Sequence, residues 1–253
     1  MNDTRLIAFK RLLDIMDELR EQCPWDREQT TESIRHLTIE ETYELSDAIL
    51  QGDKKEIEKE LGDLLLHIVF YAKIGSETND YNIESIINQL CEKLIRRHPH
   101  IYGEVKVENS DDVKQNWEQI KLKEKGNVKK SVLSGVPQSM PSIVKAYRMQ
   151  EKAAQVGFDW SDKIDVWNKV KEEMEEFHTA KNDKERTEEF GDLMFSLINY
   201  ARFENINPDD ALELTNKKFK QRFEYIEAAA EKKGKKIQDL SLEEMEALWQ
   251  AAK

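Results

Sequence analysis

Cysteine is nearly absent: the 253 residues hold two, Cys23 and Cys91. They form no CxxC pair, which argues against a zinc site or disulfide framework and fits a reducing, cytoplasmic setting. Glycine (9) and proline (5) are too scarce for the turns of a β-sandwich or for low-complexity disorder. No apolar run approaches the ~18 residues of a membrane span. The opening stretch, MNDTRLIAFKRLLDIMDELREQ, mixes charge with Leu and Ile at helical spacing and lacks the apolar core of a signal peptide, so neither a leader nor a membrane is expected. Positive charge is also in deficit, with a net charge of −12. A duplex-DNA binder presents a basic face, so a nucleic-acid polymer is not an expected partner. An acidic chain that handles phosphates needs metal ions or local Lys and Arg to offset repulsion.

Charged residues make up 36% of the chain and hydrophobic ones 39%, a mixture that suits long amphipathic helices. The spacing predicts helices at about 4–21, 31–51, 54–77, 82–97, 110–125, 142–155, 163–181, 184–204, 208–232 and 241–252. Asp53 and Asp183 precede acidic helix starts as caps, and Pro208 follows Asn207 at a first helical position. The stretch KGNVKKSVLSGVPQSMPS is the best linker. The expected organisation is all-α, with an N-terminal domain over 1–125, a linker over 126–142 and a C-terminal domain over 143–253.

The halves read as a diverged repeat. Trp25-Asp26 answers to Phe158-Asp159, IEETYELSDAI to KEEMEEFHTAK, and ELGDLLLHIVFYA to EFGDLMFSLINYA. Lys93 and Arg97 pair with Lys218 and Arg222, and Trp117 and Lys121 with Trp249 and Lys253. Matching elements in one order with similar gaps mean two copies of one helical unit.

Each copy carries four carboxylates. Glu41 and Glu44, and Glu60 and Asp63, are i, i+3 pairs, so each pair shares a helix face. Glu44 lies eight residues before Gly52 and Glu60 eight after it. In an antiparallel hairpin, equal distance from the turn means equal height, so the four converge. Glu173, Glu176, Glu189 and Asp192 repeat the pattern about a turn near Asn182-Asp183. A single acidic i, i+3 pair is usually solvated helix surface. Matched pairs about a turn, an apolar run after the second pair and recurrence in both halves argue otherwise. Mid-helix Gly62 and Gly191 point to a packing or access requirement, since Gly there costs about 1 kcal/mol against Ala. Four facing carboxylates need a counter-charge. All-oxygen ligation suits Mg²⁺ or Mn²⁺, and Mg²⁺ usually keeps room for waters and phosphate oxygens.

The pattern Glu-Glu-x-x-Glu, a spacer, then Glu-x-x-Asp, written here as EETYE with ELGD and EEMEE with EFGD, resembles the MazG family of all-α nucleoside triphosphate pyrophosphohydrolases. CPWDREQT, LTIEETYELSDAI, RRHPHIYG and VGFDW extend the likeness to tandem-repeat bacterial members over essentially the whole chain. The resemblance implies two tandem helical-bundle repeats working as a homodimer. It implies Mg²⁺-dependent hydrolysis of ribo- and deoxynucleoside triphosphates to monophosphate and pyrophosphate, in control or cleaning of the nucleotide pool. Metal ligands carry over to Glu173, Glu176, Glu189 and Asp192, with Glu41, Glu44, Glu60 and Asp63 as counterparts. Nucleotide contacts carry over to Lys169, Lys218, Arg222, Trp249 and Lys253. Where some relatives carry Lys ahead of the Glu-x-x-Asp helix, this chain has Glu185.

Catalytic roles fall on Glu172, Glu173 and Glu176; the general base is Glu172 or a member of the quartet, and the residues do not choose between them. Lys169 sits one turn before Glu173, where the first copy has Leu37, so the C-terminal copy is expected to dominate turnover. Lys218 and Arg222 share a helix face as a phosphate clamp or as a solvated basic stripe. Trp249 either stacks on a base or fills a core. His98 and His100 flank Pro99 in a structured turn, and His67 reads as a core histidine. A di-iron carboxylate bundle needs paired Glu-x-x-His motifs. Glu175-x-x-His178 is matched by Ser46 in the first copy, which counts against it. A non-catalytic interaction module would not need carboxylates matched about both turns.

Overall fold

The structure is a computed structural model that describes residues 3–109, 112, 113, 116, 117, 120 and 131–253. It divides into two compact units, 1–126 and 127–253. All regular structure among the described residues is helical, and none of these helices is long and apolar enough to cross a membrane.

The first unit holds α1 (Thr4–Gln22), α2 (Pro24–Glu28), α3 (Arg35–Gln51), α4 (Lys54–Glu77), α5 (Ile83–Arg97) and α6 (Pro99–Tyr102). The second begins with a 3-10 turn, Val132–Gly135, and continues through α7 (Ser142–Ala154), α8 (Lys163–Thr179), α9 (Asp183–Phe203), α10 (Pro208–Lys232) and α11 (Leu242–Ala251). In each unit the defining element is an antiparallel hairpin, α3 against α4 and α8 against α9.

Local chemistry sets both hairpin turns. Helix α3 stops at Gly52, whose φ of 70° is left-handed and cheap only for glycine. Asp53 starts α4 at once, its carboxylate accepting the amide N–H of Lys55 and Glu56. In the second unit the cap is Asn182 rather than the expected Asp183, which is already the first helical residue. The Asn182 side chain accepts the Glu185 amide N–H at 2.9 Å. Asn207 caps α10 ahead of Pro208, as the sequence predicts.

The first unit's core joins Met16 of α1, Ile34, and Val69 and Phe70 of α4, with Leu37 packed against them. In the second unit Val166, Val170, Leu193 and Ile198 bury the α8–α9 seam, while Ile226, Ala230 and Leu240 tie α10 to α11. Sequence reading overlooked α2 and α6. Pro24 and Pro99 stand at the first helical position of each, so these prolines begin short helices. The helix expected at 110–125 lies largely outside the described residues, as does Lys121. The 3-10 turn and the start of α7 fall inside the stretch expected as linker.

Candidate active site

The turns bring the acids together. In the first unit, carboxylate oxygens of Glu41, Glu60 and Asp63 lie within 4.8 Å of one another. In the second, Glu173, Glu176 and Glu189 do the same. Each cluster thus gathers three of the four expected ligands. The fourth, Glu44 or Asp192, stays outside that reach on an exposed position but is felt electrically. Burial, then the charges of Asp63 and Glu44, raise the Glu41 carboxyl above the ordinary carboxylate range. Burial, then Glu176, Asp192 and Glu173, do the same to Glu189. Like charges at this separation resist joint ionisation unless a cation joins them.

Each cluster has one deeply buried member, and it differs between the units. Glu60 on α4 is 2% exposed, and Glu173 on α8 is 6% exposed. Each is paired with lysine. Lys59 Nζ meets Glu60 Oε1 at 2.6 Å, and Lys169 Nζ meets Glu173 Oε1 at 2.7 Å. Lys169 also holds Glu172 at 2.6 Å. These contacts raise the pKa of both lysines: Lys59 chiefly through Glu60, Lys169 through Glu172 and then Glu173. At position 37, the counterpart of Lys169, the first copy has a leucine and so no basic side chain. Leu37 belongs to the core, but Lys59 brings a positive charge from the other helix of the hairpin. The signal lay one residue before the Glu-x-x-Asp motif, where the second copy has Glu188.

The donor set fits a hard divalent cation. Every donor is a carboxylate oxygen. Glu60 Oε2 is buried without a hydrogen-bond partner, a position a cation would complete. A Cβ built at Gly62 or Gly191 meets nothing within 4 Å, so neither glycine is required by packing within the described chain. Glu185, standing where some relatives carry Lys, accepts the Lys181 amide N–H at 2.8 Å and so serves the start of α9.

A cavity of about 180 Å³ opens beside the second cluster and is lined by Lys169, Glu173 and Asp192 with Trp160, Phe195 and Asn199. The remaining expected nucleotide contacts do not line it. Arg222 lies over the Trp249 ring at 5.3 Å, and Phe219 packs on the same ring at 5.2 Å. Trp249 thus joins the α10–α11 core. Lys218 stands exposed on α10, and Lys253 follows α11 at the chain's end. The first unit keeps the counterpart contact, Arg97 over Trp117 at 5.6 Å. His98 also packs edge-on to Trp117, consistent with a structural role. His67 Nδ1 lies 2.8 Å from the Thr38 hydroxyl, the satisfied core histidine the sequence suggested.

Two antiparallel hairpins, each bringing three of its four motif carboxylates together below a capped turn, are the core of an all-α fold whose relatives are nucleotide pyrophosphohydrolases. Residues 29–102 match the model of the MazG nucleotide pyrophosphohydrolase domain, and residues 148–219 match that of phosphoribosyl-ATP pyrophosphohydrolase. The chain is 44% identical to the Thermotoga maritima nucleoside triphosphate pyrophosphohydrolase/pyrophosphatase MazG, over 98% of this chain and 96% of that one. It is 39% identical to the Escherichia coli K12 nucleoside triphosphate pyrophosphohydrolase, over 96% of each. The uncharacterized protein YabN of Bacillus subtilis is 45% identical over 97% of this chain, which spans 51% of YabN. The chain belongs to the MazG family.

Proposed function

We propose that this chain hydrolyses ribo- and deoxynucleoside triphosphates to monophosphate and pyrophosphate, in an Mg²⁺-dependent reaction serving control or cleaning of the cytoplasmic nucleotide pool. One observation carries the reading: three carboxylates converge within 4.8 Å at Glu173, Glu176 and Glu189, beside a lysine on a small cavity. The names and high identity of the full-length relatives support the activity.

Glu173, Glu176 and Glu189 would hold the ion, with Asp192 beside them. Mg²⁺, or Mn²⁺ in its place, supplies charge that offsets the triphosphate and polarises a phosphoryl oxygen. Lys169 is held one turn from Glu173 and can exchange that carboxylate for a phosphate oxygen when the charge there is shared. Water attacks the α-phosphorus, and the bond to the bridging oxygen of the departing pyrophosphate breaks. Glu172 adjoins the cluster without belonging to the three convergent ligands, and Lys169 orients it. We assign it as the base that takes the water's proton. Lys218, Arg222 and Lys253 would have to approach from α10 and α11 after rearrangement or from a second subunit. A homodimer is part of the reading, because α4 and α9 leave Leu61, Leu65, Ile68, Phe190 and Leu197 exposed.

The test is ATP hydrolysis after chelation and then with graded Mg²⁺, with products resolved. Activity should vanish and return with the ion, releasing AMP and pyrophosphate. ADP with orthophosphate would refute attack at the α-phosphorus.

A further inference from the structure

Asn199 of α9 stands where the first unit has Phe70, a residue 3% exposed in that unit's core. In the second unit the position is polar and borders open space. Asn199 lines both the cavity at Lys169, Glu173 and Asp192 and a larger one of about 570 Å³ between α7, the loop at 157–160 and α9. It follows Asp192 on the same helix by seven positions. At about 1.5 Å per residue and about 3.6 residues per turn, Asn199 shares the Asp192 face and lies about 10 Å further along α9.

The Asn199 amide is oriented, and only half of it is used. Arg202, one turn on, donates to its Oδ1 from Nε at 3.1 Å and from Nη2 at 2.9 Å. A guanidinium only donates, so the atom it meets is the oxygen, and the amide cannot turn over without setting donor against donor. Arg202 is itself held by Asp159 of the 157–160 loop, its Nη1 lying 2.9 Å from Oδ2. The Asn199 Nδ2 donates to no described residue, and it is not sealed from solvent as the buried unpartnered Gln150 Oε1 of this unit is. An accessible, fixed N–H donor thus stands on a residue shared by the two cavities.

The surroundings select the acceptor. Phosphate charge is answered elsewhere, by Lys169 and the carboxylate cluster. Around Asn199 the wall common to both cavities is Trp160 and Phe195, and the nearby cation, Arg202, is committed to Asp159 and Asn199. A neutral donor between aromatic rings suits a neutral hydroxyl better than a phosphate, which favours charged donors. We propose that Asn199 Nδ2 donates to the 3′-hydroxyl oxygen of the nucleotide's sugar, and that Arg202 is the positioning residue that aims it. The 3′-hydroxyl is common to ribo- and deoxynucleotides, so one contact serves both. The first unit, with Phe70 buried at this position, cannot make it. The proposal rests on the reading of the carboxylate–lysine cavity as the triphosphate end.

Substrates that differ by one hydroxyl test it. With the full chain and Mg²⁺, kcat/KM is measured on ATP, 2′-deoxy-ATP and 2′,3′-dideoxy-ATP. The unaltered protein should prefer the deoxy over the dideoxy compound. Asn199→Ala should lower kcat/KM about tenfold on ATP and deoxy-ATP and leave dideoxy-ATP nearly unchanged, so that the preference disappears. Asn199→Asp keeps an oxygen for Arg202 and loses only the donor, which guards against misfolding of the alanine variant. Its added charge should slow all three substrates, and the preference should again be lost. Arg202→Gln should diminish the same preference, whereas a merely structural arginine would lower all three substrates alike. Equal loss on all three in both Asn199 variants, with the preference kept, would overturn the sugar contact, as would the absence of any preference in the unaltered protein. A loss confined to ATP would place the donor at the 2′-hydroxyl and refute the assignment. If the unaltered protein hydrolyses none of the three, the triphosphate reading fails, and the proposal with it.

Discussion

At the scale of residues, the two clusters are alike in composition and different in wiring. The buried glutamate comes from the second helix of the hairpin in one unit and from the first helix in the other. The paired lysine moves with it. In the second unit that lysine sits on the cavity shared with Glu173 and Asp192, which favours this copy as the catalytic one. Glu176→Ala should lower kcat by ~100-fold or more, whereas Glu44→Ala, at an exposed position outside its cluster, should change it far less. Steady-state hydrolysis by both variants decides this, and the reverse order of effects would assign turnover to the first unit. A second expectation concerns pH. The Glu189 carboxyl is raised in the fold, so the folded state holds its proton more tightly than the unfolded chain does. Its favourable contribution is present below the unfolded carboxylate pKa and is lost as pH rises through the raised one. In chelator at pH 7, Glu189→Gln should therefore melt higher than the unaltered protein. The gap should narrow as pH falls toward the carboxylate range, and Mg²⁺ should narrow it by stabilising the unaltered protein more than the variant. Melting curves across pH, with and without Mg²⁺, provide the check.

At the scale of elements, the hairpin turns do the aligning. One residue added to or removed from either turn would rotate the second helix by about 100° relative to the first, since 3.6 residues complete a turn, and would part the carboxylates. The caps resist this. Gly52→Ala forces a side chain into a left-handed conformation and should cost about 1 kcal/mol. Asn182→Ala removes the acceptor of the Glu185 amide and should cost a similar ~1 kcal/mol. Urea denaturation measures both. A cost confined to stability, with the metal requirement intact, would show that packing along α3–α4 and α8–α9 holds the register without the caps.

At the scale of the whole molecule, the exposed apolar residues of α4 and α9 are the ground for the proposed homodimer. Apolar side chains such as Leu61, Ile68 and Phe190 lie on helices whose other faces already build the cores. A second copy is the cover expected, and light scattering at micromolar concentration should return the mass of a dimer. A monomeric mass would leave those faces unexplained by self-association.

Much of this was legible in sequence because it is periodic. Helix spacing, the duplicated acidic motifs and the turn at Gly52 depend on neighbours within a few residues, and their structural outcome follows from local geometry. The family, the all-α class and the convergence of carboxylates came from that information. The short helices at Pro24 and Pro99 escaped because a single turn carries too little periodicity to stand out. What only the tertiary structure decided were contacts between residues far apart in the chain. Gln150 meets Phe195 across 45 positions, and Arg202 meets Asp159 across 43. Even Lys59, adjacent to Glu60 in sequence, acquires its meaning from burial: an i, i+1 pair of opposite charge is ordinary surface until packing places one partner out of water. Sequence specifies which side chains share a helix face; the packing of those faces determines which carboxylate is buried, which lysine answers it and where a cavity opens beside them.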